Sequence, residues 1–78
     1  MTEAQLMESI TDEELKYLAV DVMDFHEIGG FKEGAMIVDI IEKVKSNFEM
    51  NDEEALHSTL YMLTLEIIER YSKELNVY

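Results

Sequence analysis

The chain contains no cysteine, proline or tryptophan, only three glycines in 78 residues, and six basic residues against eighteen acidic ones. Each shortage excludes something. Without cysteine no disulfide can staple the fold, and a chain of this length buries only about 60–65% of its unfolded surface, which leaves room for one core. Stability must then come from well-formed helix packing or from self-association, so a homodimer is expected. The scarcity of lysine and arginine leaves a net charge of −12, which rules out simple electrostatic attraction to DNA, RNA or anionic lipid and makes basic protein surfaces the natural partners. No apolar run approaches the ~20 residues needed to span a bilayer. The start, Met1-Thr2-Glu3, lacks the positive charge of a signal peptide, so a cytoplasmic protein is expected. High net charge can also mean disorder, but a hydrophobic content of 47% with clear periodicity argues against that.

What is present reads as helix from end to end. Thr2 with Gln5 three positions on, followed by Leu6, Met7 and Ile10, predicts a short leading helix. Thr11 with Glu14 has the spacing of a capping box, and Ile10 and Leu15 flank it as a hydrophobic staple would. A first long helix therefore starts near Asp12. Leu15, Leu18, Ala19, Val22 and His26 form its inward stripe, with Glu13, Tyr17, Asp21 and Asp24 outside, and Gly29-Gly30 ends it. The stretch Ile28–Gly34 holds all three glycines and reads as a turn rather than a linker between domains. A second helix is expected over about Ala35–Asn47, with Ile37, Ile40, Ile41, Val44 and Phe48 inward and Asp39, Glu42, Lys43 and Ser46 outward. Asn51 with Glu54 predicts a third start, and 24 glycine-free residues after it make a helix of roughly 36 Å. The fold class is all-α: one domain over residues 1–78, a three-helix bundle preceded by a short N-terminal helix, with about 55 positions helical.

The last helix is apolar on two sides. Leu56, Leu60, Leu63, Ile67 and Tyr71 make the main stripe, while Tyr61, Leu65 and Ile68, flanked by Met62, fall on nearly the opposite side. A surface helix of a monomer needs one apolar face, so the second must be covered by the leading segment, by another copy of the chain or by a partner.

Nothing along the chain assembles an active site. Glu54 and His57 share the E-x-x-H spacing of di-iron bundles, but such centres need a second copy of that element, and His26 has Met23 where the paired glutamate would stand. The plainer reading is a first-turn acid and a histidine on the helix flank. The G-G-F-K-E-G turn lacks phosphate-loop spacing and net positive charge. Tyr17, Phe25, Phe31, Tyr61 and Tyr71 are dispersed without basic residues between them, unlike a stacking platform for single strands. No catalytic residue, metal ligand or cofactor is expected.

The acids are the remaining signal. Asp12, Glu13, Glu14, Asp52, Glu53 and Glu54 suit helix starts, where carboxylates meet the positive end of the dipole. The others exceed what solubility demands, since a net charge of about 2–8 suffices for a small domain. Two copies would carry twice −12, about the charge on 12 base pairs of duplex, which spans roughly 40 Å. With its T-D-E-E and N-D-E-E helix starts and its lack of cysteine and proline, the chain resembles the small acidic helical inhibitors that bacteriophages encode against host replication, transcription or defence proteins. One such inhibitor, from a staphylococcal phage, plugs the DNA channel of the sliding clamp. That resemblance implies a DNA mimic that blocks a basic surface of a host DNA-binding protein. Independently of it, Asp39, Glu42, Glu66 and Glu69 are the candidate partner-binding acids, and Tyr61, Leu65 and Ile68 the candidate dimer or partner face. The alternative is a helix-in-groove adaptor or transcription accessory factor that binds through that apolar face.

Overall fold

The computed structural model describes residues 1–75 and is all-helical, with no strand among them. Four helices follow one another: α1 (Glu3–Glu8), α2 (Asp12–Ile28), α3 (Met36–Phe48) and α4 (Asp52–Leu75). Three of the four starts carry the caps expected from sequence. Thr2 and Thr11 each accept a hydrogen bond from the backbone N–H three residues on, while Gln5 and Glu14 reach back to the cap N–H groups. Asn51 and Glu54 make the same reciprocal pair at 2.8 and 3.2 Å. Such a pair satisfies two of the four N–H groups that every helix start leaves open. Helix α2 ends at Gly29, whose φ of 74° is left-handed and suits a residue without Cβ. Helix α3 ends at Glu49 in the same conformation, with Met50 N–H bonding back to the Lys45 carbonyl. A hydrogen bond across six residues closes the last turn in the Schellman manner.

Helix α4 is the spine against which α1, α2 and α3 all pack, and α2 and α3 also touch each other. The core is built from Leu6, Met7 and Ile10, from Leu15 and Leu18, from Ile37, Ile40 and Val44, and from Ala55, Met62 and Leu63. The molecule is a slab of 38 × 30 × 19 Å.

Packing on α4 from several sides alters which of its residues lie deepest. Leu63 is fully buried as expected, but Leu56, Leu60, Ile67 and Tyr71 are only half-buried, and the centre of the buried arc passes through Ala55, Thr59 and Met62. Thr59 is tolerated because its hydroxyl donates to the Ala55 carbonyl at 2.6 Å, which leaves that hydroxyl paired inside the fold. Met62 is not on the outer stripe: α1 lies beside it, with Ala4 and Met7 around the same hollow.

Two placements on α2 are corrected in the same way. His26 is exposed, and its neighbour Phe25 is the half-buried one, stacked on Phe31 with ring centroids 5.2 Å apart, while Phe31 packs against the core. Asp21, expected outside, is buried. Helix α2 packs against both α3 and α4, so its buried arc follows Leu15, Leu18, Asp21 and Val22, and Phe25 in threes and fours rather than turning toward His26.

Candidate protein-interaction surfaces

The interior polar groups are the first that a functional reading must account for, and they serve the fold. Helix α3 begins at Ala35, which has no side chain to cap it. The missing acceptor comes from α2: Asp21 Oδ2 accepts the Ile37 N–H at 3.1 Å. A carboxylate placed at a helix start meets both unpaired donors and the positive dipole end. The uncapped start at Gly34-Ala35 was the sequence signal that an acid from elsewhere was needed.

Arg70 is the chain's single arginine and lies largely covered, with a side-chain exposure of 19%. Its Nε donates to Glu66 at 2.7 Å, Nη1 to Asp12 at 3.1 Å and Nη2 to the Met7 carbonyl at 2.8 Å. One guanidinium thus ties the end of α1 and the start of α2 to α4. Burial opposes its charge, but the hydrogen bonds and charges of Glu66 and Asp12 outweigh that and hold its proton more tightly than usual. The planar fork of donors suits three acceptors at different angles, which a lysine could not match.

These two latches change the roster of candidate partner-binding acids. Asp39, Glu42 and Glu69 are exposed, but Glu66 is engaged by Arg70 and has a side-chain exposure of 17%, so it is not presented to solvent as the others are. Lys32 lies 3.6 Å from Asp24, and Lys45 lies 2.6 Å from Asp52, whose contact raises the lysine's proton affinity. Part of the small basic complement is therefore taken up locally. Glu3, Glu8, Glu13, Glu27, Glu33, Asp39, Glu42 and Glu53 remain exposed across the helices.

The sequence-predicted apolar face is open in the structure. Tyr61, Leu65 and Ile68 are 67%, 48% and 57% exposed on one side of α4. Helix α1 covers the Met62 side of α4 and reaches only the margin of this face at Leu65. A second group of exposed apolar residues, Tyr17, Val20 and Met23, lies on α2, where the exposed Glu13, Lys16 and Glu27 are interleaved with them.

His57 is exposed and sits 4.0 Å from Glu53, while Glu54 is turned back onto the Asn51 N–H. Among the described residues no three histidine, aspartate or glutamate side chains converge as a metal site would require. No helix among them is long and apolar enough to cross a membrane. A shallow hollow lined by Asp12, Glu13, Lys16, Tyr17 and Val20 is open to solvent and brings no nucleophile beside a base. Comparison of the chain with protein-family models, with curated proteins and with solved structures finds no match.

Proposed function

We propose that this protein is an acidic decoy that occupies the nucleic-acid-binding surface of a basic protein. The observation that carries the reading is the exposed, weakly compensated acid: a charge of −12 on a body 38 Å long, with Lys32, Lys45 and Arg70 each held by a neighbouring carboxylate. Duplex DNA of the same length carries about 22 charges at one per ~1.7 Å, so a single copy offers roughly half that density. Long-range attraction of this kind accelerates encounter with a basic cleft and excludes the nucleic acid that would otherwise enter. Asp39 and Glu42 on α3 and Glu69 on α4 are the acids proposed to meet the partner.

The test is capture of the basic partner from the source cell, followed by titration of the purified pair. Raising salt from about 50 to 200 mM should weaken the complex at least tenfold, and a duplex of about 12 base pairs should compete with it. Charge reversal by Asp39→Lys with Glu42→Lys should act mainly by slowing association. Binding that ignores both salt and DNA would overturn the decoy reading. It would favour the adaptor reading, which draws on the exposure of Tyr61, Leu65 and Ile68 and requires affinity to collapse when Tyr61 is truncated.

A further inference from the structure

The outer strip of α4 differs from the rest of this surface in lacking formally charged residues along its middle. Ala55–Leu65 is a run without an aspartate, glutamate, lysine or arginine, with His57 its one titratable side chain beside Tyr61, in a chain where nearly a third of positions are charged. Along the exposed side of the helix His57, Tyr61, Thr64, Leu65 and Ile68 recur at steps of three and four, the spacing of a helix-pairing seam, with half-buried Ser72 next in line. Glu54 closes the strip at its N-terminal end, and Glu69 borders one edge near the other. The exposed apolar residues of α2 offer no comparable strip, because Glu13, Lys16 and Glu27 interrupt them.

We infer that this strip is where a second copy of the chain docks, with the two α4 helices antiparallel and crossing near Thr64 and Leu65. Charge selects the occupant. A basic partner gains most by approaching the acidic faces and nothing electrostatic from this one, whereas two bodies of −12 each repel least where neither carries charge. Charge also selects the direction. A parallel pair would set Glu54 against Glu54 and Glu69 against Glu69. The antiparallel register sets Tyr61 opposite Ile68, His57 opposite Ser72 and Glu69 opposite Leu60, so no acid meets an acid, and the helix dipoles oppose favourably.

The pairing bears on the decoy reading without depending on it. Helix α4 is about 36 Å long, nearly the full 38 Å of the molecule, so a second copy beside it doubles the charge with little added length. The pair then carries close to the ~22 charges of duplex DNA of that length.

Sedimentation of the isolated full-length chain tests this with no partner present, so its outcome is independent of the decoy's target. The expected result is a dimer that tightens several-fold as salt rises from about 50 to 500 mM, because screening removes the residual repulsion between copies. Leu65→Glu should leave a monomer with unchanged helicity, and Thr64→Glu, at an exposed position, should weaken the dimer without touching the core. The chain has no native thiol, so His57→Cys and Ser72→Cys variants report register directly. A short thiol-to-thiol cross-linker should join them when mixed and neither when alone. A monomer at concentrations up to about 0.5 mM in high salt would overturn the proposal. So would a dimer indifferent to both glutamate substitutions, and cross-linking of His57→Cys to itself would overturn the antiparallel register.

Discussion

Arg70 and Asp21 both draw charge inward to hold helix ends, yet they do so in different surroundings. Asp21 makes one hydrogen bond, to a buried backbone N–H, at the start of a helix with no cap of its own. Arg70 makes three, but its partner Asp12 has a side-chain exposure of 83%, and the bonds to Glu66 and to the Met7 carbonyl are only partly buried. The number of bonds and their value to stability should therefore run in opposite orders. An exposed ion pair contributes little because water and salt compete for both partners, whereas a buried donor left without an acceptor loses its full hydration.

The largest effect should come from Asp21→Ala, which orphans the Ile37 N–H and removes the carboxylate from the start of α3. We expect a loss of about 2–3 kcal/mol in denaturant unfolding, with Asp21→Asn recovering much of it because an acceptor oxygen remains. If Asp21→Ala costs less than Arg70→Met, the ordering drawn from burial is wrong. Arg70→Met keeps the covering hydrocarbon and removes the donors, and should cost about 1–2 kcal/mol. Its effect should be local. Amide hydrogen exchange should show α1 opening more readily while α3 is unchanged, since the lost bond to the Met7 carbonyl is one that ties α1 to α4.

The same two residues mark how far the sequence could be read. The helix starts were legible because a capping box is local, confined to four consecutive residues such as Thr11–Glu14 or Asn51–Glu54. The inward stripe of α3 was legible because its apolar residues keep to one side. Asp21 was not, because apolar periodicity assigns every acid to the surface and cannot see that a distant helix start lacks a cap. His26 was misplaced by a similar shortfall: periodicity supplies a face, but the number of neighbours decides how wide that face is and where its centre lies. Glu66 looked like a surface acid until α4 was seen beside Asp12 and Met7, a contact spanning 58 positions between Arg70 and Asp12. The exposure of Tyr61, Leu65 and Ile68 on one side of α4 was legible in the periodicity, while the partition of the acids into paired and unpaired depended on the fold.

The smallest expected effect separates Arg70 from the cap it stands beside. Asp12 follows Thr11 directly, so the start of α2 is held both by the guanidinium and by the Thr11–Glu14 box. The two respond differently to acid. The Glu14 carboxyl lies below its ordinary value because the Thr11 backbone N–H, and then the Thr11 side chain, hydrogen-bond its charged form. A carboxylate with a lowered folded pKa stabilises the protein above its unfolded pKa, and that contribution disappears as pH falls through the folded value. The stability gap between the native chain and Glu14→Gln should accordingly be flat near neutrality and close as the pH drops below about 4. Thr11→Ala, which also removes the acceptor for the Glu14 N–H, should keep part of its deficit at low pH, because a neutral hydroxyl does not titrate. Paired unfolding curves from pH 7 to about 3, repeated in the Arg70→Met background, would measure both. A Glu14→Gln gap that persists unchanged into acid would show that the box holds α2 by geometry alone, with no share from the charge.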